Sequence, residues 1–271
     1  MSGASIDPSA RIAAGAQIGS DVTVGPYCTI GPHVTVGDGC VLVSHVNISG
    51  HTVVGPRNKI QPFASLGTPP QSSGYRGEPT RLVIGADNDI REHVTMNTGT
   101  AADRGVTTVG DGCMFMVNSH VAHDCRVGNH TIFANAATLA GHVDVADHST
   151  IGAFSAVHQF CRVGVYGFLG GYTVATKDVL PYSKTVGNRA RIYGVNTLGL
   201  QRRGFPPEVI GAIRQAYRVL LQSRLNTSEA LARLEAEPMI PEVRLLVDFI
   251  RSAKRGVVLR RASRHHVTDE G

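Results

Sequence analysis

The sequence contains no tryptophan, and its aromatic residues amount to 6% of the chain. A thick core filled by large rings is excluded, which favours a narrow interior of small and aliphatic side chains. No apolar run approaches the roughly 20 residues of a membrane-spanning helix, so stable membrane insertion is not expected. The opening MSGASIDPSA has neither a basic stretch nor an apolar core, so no secretory leader is expected and a cytoplasmic protein is. The five cysteines include no CxxC pair, which removes the zinc-ribbon and dithiol-redox patterns. The chain also lacks zinc-finger, RNA-recognition and helix-turn-helix signatures, so no nucleic-acid partner is expected.

What the sequence has is a period of six. Aliphatic residues recur at Ile6, Ile12, Ile18, Val24, Ile30, Val36, Leu42, Ile48, Val54, Ile60 and Leu66, often followed by glycine. The beat resumes at Ile84, Ile90 and Met96, then shifts by one residue and runs from Val109 and Phe115 to Leu169 and Ala175. Neither a helix nor a flat strand has this period. Taking the aliphatic as position one, position five is also compact: Cys28, Cys40, Cys113, Cys125 and Cys161 all fall there. Six residues make one short strand and a turn, three units make a triangular coil of 18 residues, and stacked coils bury a continuous core. The expectation is a mostly β chain: a parallel β-helix over residues 1–188, with loops at 68–82 and 97–107 where the beat breaks.

After residue 188 the spacing becomes helical. PPEVIGAIRQAYRVLLQSR places Val209, Ile213, Ala216 and Leu220 on one side, with prolines at the start. SEALARLEAE and PEVRLLVDFIRSA follow as further helices. An α-helical C-terminal domain is therefore expected over 189–257, and a disordered tail over 258–271. Residues 189–264 carry 15 Arg or Lys against 6 Asp or Glu, whereas 1–188 carry 11 against 13. A basic cap of this kind calls for an acidic partner, such as an acidic carrier protein or a sugar-nucleotide diphosphate.

The repeat also sorts the 12 histidines. His33, His45, His51, His93, His130, His142 and His148 all lie at position four, a routine corner of the coil. His265 and His266 are in the tail. His120, His123 and His158 break the habit, at positions six, three and two. Residues 18 apart share a column, so His123, Gly141 and Gln159 stack, as do Ala122, Ala140 and His158, and Asp124, His142 and Phe160. One small face therefore gathers His123, His142, His158 and Gln159, together with exposed backbone at Gly141. In NSHVAHDC a carboxylate, Asp124, sits beside His123 and can hold an imidazole in one tautomer. The same histidines, with His120, leave zinc ligation open, as in a carbonic anhydrase of this coil fold.

The strings GPHVTVG, SHVNISGHT, GEPTR, NSHVAHDC, NAATLAGHV, AVHQFC and YGVNTLGLQRRGF, with the helices that follow, resemble the UDP-N-acetylglucosamine O-acyltransferase family of lipid A assembly over nearly the whole chain. The resemblance implies a left-handed coil and a homotrimer with sites between subunits. It implies acyl transfer from acyl-carrier protein to the 3-position of UDP-N-acetylglucosamine, with the acyl group on the carrier's phosphopantetheine and no other cofactor or metal. By the same resemblance His123 is the general base, Asp124 orients it, and the Gly141 N–H stabilises the oxyanion. Gln71, His120, His142, His158, Gln159, Asn196, Arg202 and Arg203 fall to substrate contacts, and Gly171 to the end of the acyl chain.

Two departures stand out. Gln71-Ser72-Ser73-Gly74-Tyr75 replaces the family's usual Gln-Asp-Leu-Lys-Tyr, and Leu198 replaces a glutamate. They raise two alternatives, N-acyl transfer to a 3-amino UDP-sugar and a non-catalytic paralogue, beside the trimeric zinc enzyme of the same fold that the histidines leave open.

Overall fold

The structure is a computed structural model that describes residues 3–223 and 225–259. Between Ser5 and Val195 the chain winds through short strands, mostly two residues long, that line up among the described residues into three sheets of 11, 9 and 8 strands. The register follows the repeat. Met114 pairs with Ile132, Ile132 with Thr150 and Thr150 with Phe168, each step 18 residues and each pairing parallel. This is the parallel β-helix expected from the period of six, left-handed as the resemblance implied.

Position one is buried from Val24 to Ala175, whereas Ile6, Ile12 and Ile18 of the first coil are more exposed. Phe115, Phe133, Ile151 and Leu169 stack through successive coils at 0% exposure, and the rings of Phe115 and Phe133 lie 4.8 Å apart. No neighbouring coil could collapse to fill the space a deleted ring would leave. Phe133→Ala is expected to cost about 3–5 kcal/mol, read as a lowered urea midpoint with an unchanged slope. All five cysteines are buried and unpaired. Burial pushes the Cys125 thiol up to about 12 and that of Cys161 up to about 11, so these are packing groups rather than nucleophiles.

Position four turns the corner. His45, His93, His130, His142 and His148 adopt positive φ there, as do Asp124, Phe154, Phe160 and Tyr172. A non-glycine residue in this region costs about 1 kcal/mol or more. Ring stacking up each corner offsets that cost: His130, His148 and Tyr166 stack at 5.1 and 4.8 Å, and Tyr27, His45, Phe63 and His93 at 5.0 Å. Most corner histidines are thus accounted for by the fold.

Both loops leave the prism at one and the same corner. The first joins Ser65–Thr68 to Arg81–Ile84 and the second joins Thr95–Asn97 to Val106–Val109. The expected bounds are too wide at their ends, since Thr68, Arg81, Leu82, Asn97, Val106 and Thr107 are held in ladders. Across the loops Lys59 pairs with Asp89 and Asp89 with Met114, 30 and 25 residues on instead of 18. The first span is a multiple of six and the second is not, which explains why the beat slips once, at the second loop.

The expected helical region begins instead with a strand. Arg191–Val195 pairs antiparallel with Ser183–Val186, closing the last coil. Its alternation was hidden by the surrounding glycine, asparagine and arginine residues. Four helices follow among the described residues: α1 (Thr197–Arg202), α2 (Pro207–Gln222), α3 (Thr227–Glu235) and α4 (Pro241–Arg251). In α2, Ile213 and Ala216 are buried as expected, and Ile210 and Tyr217 join them. A capping box between Asn226 and Glu229 starts α3. The helices sit on the prism: the Tyr217 hydroxyl donates to the Pro181 carbonyl at 2.6 Å. Val258, placed in the tail by sequence, is buried in the helical core, and its N–H donates to Asp178 O. The remainder of that expected tail, 260–271, lies outside the described residues.

Candidate active site

The corner from which the loops emerge carries the columns picked out by the 18-residue spacing. The His142 N–H donates to His123 O at 3.0 Å, and the Phe160 N–H to Gly141 O at 3.3 Å. His123, His142 and Phe160 form one wall of a cleft of about 440 Å³. Ser72, Gly74, Tyr75 and Glu78 of the first loop and Thr100, Ala101, Ala102 and Asp103 of the second complete it.

At its centre, His123 Nδ1 lies 2.9 Å from Asp124 Oδ2. These adjacent residues meet because Asp124 occupies the positive-φ corner, which turns its side chain back instead of across the coil. Asp124 is fully buried. Burial pushes its carboxyl up, but the Thr100 hydroxyl at 2.6 Å, the Thr100 N–H at 3.0 Å and His123 outweigh that and hold it below the usual carboxylate value. Asp124 is therefore an anion, and His123 donates to it from Nδ1, leaving Nε2 without a protein partner among the described residues. The His123 ring lies against Gly141. A Cβ at that position would fall 2.5 Å from His123 Cε1 and 2.7 Å from Nε2. Among the described residues the Gly141 N–H donates to no acceptor.

His142 is the second imidazole. Its Nδ1 lies 2.5 Å from Asp103 Oδ2 and 4.0 Å from Asp124 Oδ2. Its ring stacks on Phe160 at 4.4 Å and meets His123 edge-on at 4.9 Å. One donor atom from each of His123, Asp124 and His142 lies within 4.8 Å of the others, so metal-ligand chemistry is available to this group. Here, however, both Nδ1 atoms are turned onto carboxylates.

The other expected site residues are dispersed. His158 and Gln159 stand exposed just before Phe160 on the same coil but outside the cleft wall, His158 within 3.3 Å of the Arg255 guanidinium. Gln71 is exposed at the start of the first loop, beside the cleft rather than in its wall. His120 is on the neighbouring face, its Nδ1 2.7 Å from Thr95 Oγ1. Gly171 turns a different corner, where a Cβ would touch only Ala153 O, at 3.4 Å. Asn196 caps α1, accepting from the Gly199 N–H and donating to Tyr166 O at 3.1 Å. Arg202 and Arg203 are exposed at the end of that helix. A single protomer therefore brings His123, Asp124, Gly141 and His142 together and leaves Gly171, Asn196, Arg202 and Arg203 on other edges.

Burial lowers the affinity of His120 for a proton. The unfolded chain then binds more protons than the folded one as pH falls through the ordinary histidine range near 6.5, so stability must fall with it. His120→Gln is expected to flatten the decline in melting temperature between pH 8 and pH 5, and an unchanged slope would contradict this.

Sequence reasoning missed Thr100, Asp103, Arg104 and Thr107. All lie in or beside the second loop, where no repeat assigns a position. Thr107 Oγ1 accepts from the Asp124 N–H at 2.8 Å.

Residues 15–50 and 107–141 match the bacterial transferase hexapeptide family, and residues 178–258 match the family described as UDP N-acetylglucosamine O-acyltransferase, domain 2. A protein of Alkalilimnicola ehrlichii, an acyl-[acyl-carrier-protein]–UDP-N-acetylglucosamine O-acyltransferase, is 48% identical over 72% of this chain and 76% of its own. The crystal structure of a UDP-N-acetylglucosamine acyltransferase from Bacteroides fragilis superposes with a TM-score of 0.90 at 40% identity, over 93% of this chain and 99% of that one. The Moraxella catarrhalis O-acyltransferase gives 0.89 at 42% identity, over 93% and 99%.

Proposed function

The chain belongs to the UDP-N-acetylglucosamine O-acyltransferase family, and from that premise we propose that it moves an acyl chain from acyl-carrier protein to the 3-hydroxyl of UDP-N-acetylglucosamine, the first step of lipid A biosynthesis. The observation that carries this reading is the His123 imidazole, fixed at Nδ1 by a fully buried anion and open at Nε2 beside Gly141. His123 Nε2 takes the proton of the sugar hydroxyl as its oxygen attacks the thioester carbonyl. The Gly141 N–H receives the negative charge that develops on the carbonyl oxygen. Collapse breaks the C–S bond, the imidazolium returns the proton to the departing phosphopantetheine sulfur, and the new ester leaves with the nucleotide. Asp124 stays ionised throughout and stabilises the imidazolium.

The substrates suit the chain's charge. An acidic carrier and a diphosphate both match the basic cap over 189–264. A homotrimer suits the dispersal of Gly171, Asn196, Arg202 and Arg203, since cyclic association sets one protomer's corner against a different edge of its neighbour. No helix among the described residues is long and apolar enough to cross a membrane.

Ser72 and Gly74 line the cleft where the family usually carries charge, so acceptor choice is the part of the reading to test. Purified protein, 3-hydroxyacyl carrier protein and equal amounts of UDP-N-acetylglucosamine and its 3-amino analogue are mixed in the presence of a chelator. The expected product is the 3-O-ester. Exclusive formation of the amide would move the protein to the amino acceptor, and loss of turnover on chelation would point to a metal enzyme.

A further inference from the structure

The cleft contains two carboxylate-held imidazoles, and only one of them is used by the chemistry above. His142 is held as closely as His123. Asp103 takes its Nδ1, Phe160 covers one ring face, and His123 meets it edge-on. Nε2 has no protein partner among the described residues. Asp103 differs from Asp124 in origin: it comes from the second loop, 39 residues before His142 in sequence, and its side chain is 41% exposed. Its position is fixed by the next residue. Arg104 Nη1 donates to the Asp124 carbonyl at 2.8 Å and to Asp144 Oδ1 at 2.7 Å, while Nη2 reaches Asp144 Oδ2 at 3.2 Å. This bidentate clamp pins the loop across the two coils that follow it. Thr100 of the same loop holds Asp124. One short segment thus sets both imidazoles, through Thr100 and Asp124 for His123 and directly through Asp103 for His142.

We propose that Asp103 is a positioning residue for the sugar nucleotide: its carboxylate keeps the proton of His142 on Nδ1 and turns Nε2 to a hydroxyl of the bound sugar. With its one proton held on Nδ1, His142 presents Nε2 as an acceptor. The role rests on the acyl-acceptor reading of the cleft, but the orientation of His142 does not. Removing Asp103 frees the ring to rotate and to change tautomer, which weakens acceptor binding while leaving His123, Asp124 and Gly141 in place.

The test combines nitrogen-15 NMR of the histidines with steady-state kinetics on full-length wild type, Asp103→Ala and Asp103→Glu. In the wild type His142 is expected to show the Nδ1–H form, and in Asp103→Ala a mixture of forms with His123 unchanged. The KM for UDP-N-acetylglucosamine is expected to rise about tenfold with kcat altered less than about threefold, and Asp103→Glu is expected to recover most of the loss. An unchanged His142 signal in Asp103→Ala overturns the proposal, as does a fall in kcat with KM unmoved. If the wild type itself makes no product, the acyltransferase reading fails separately, and the His142 signal still decides the role of Asp103.

Discussion

His123→Ala lowers the rate of acyl transfer by about 10²–10⁴-fold and leaves the fold intact. The loss is large because no neighbour can take over. His142 is the nearest imidazole, but Asp103 and the stack on Phe160 hold its ring 4.9 Å from that of His123, so it cannot move into the place His123 leaves. The fold survives because the buried Asp124 anion keeps the Thr100 hydroxyl and N–H after His123 is gone. No uncompensated charge is left in the interior, the usual route by which such a deletion becomes severe. Single-turnover transfer should fall while the melting temperature and oligomeric state hold. A variant that retains more than about a tenth of the rate would remove His123 from the role of base.

Gly141→Ala is the second large effect, and it acts on the same group from the opposite side. The backbone at 141 does not occupy the positive-φ region, so alanine itself is tolerated there and the added methyl strains only what it touches. It touches the imidazole, at 2.5 Å from Cε1 and 2.7 Å from Nε2. The ring must swing away, and its bond to Asp124 at 2.9 Å must lengthen or break. Displacement of a reacting nitrogen by about 1 Å costs about 10²-fold, and kcat should fall by that order with little change in stability. Combined with His123→Ala, Gly141→Ala should add little, because both remove the same positioned base. Full additivity would instead show that the methyl disturbs something other than His123.

The fold was legible because a period of six admits one architecture, and the same period located the site by elimination. His130 and His148 repeat with the coil and prove to be stacked corners. His123 breaks the habit and lies in the cleft. His142 shows where this logic thins. Its position is routine, and only its neighbours, Asp124 below and Phe160 above, mark it as more than a stacked ring. Thr100, Asp103 and Arg104 were not legible, because a loop has no periodic coordinate and their partners lie 24, 39 and 40 residues away. The Arg191–Val195 strand was missed for a related reason. It pairs antiparallel as the chain leaves the repeat, so neither the six-residue beat nor helical spacing describes it. Gly171, Asn196 and Arg203 came from resemblance alone. The single protomer leaves them on separate edges.

The most direct measurement is mass analysis of both products after the purified protein is mixed with 3-hydroxyacyl carrier protein and UDP-N-acetylglucosamine. The account predicts one acyl group added to the nucleotide at its 3-oxygen, an equal amount of carrier protein with a free thiol, and both products forming at least about a hundredfold more slowly with His123→Ala. An intact thioester and unmodified nucleotide, across donors of every chain length supplied, would contradict it.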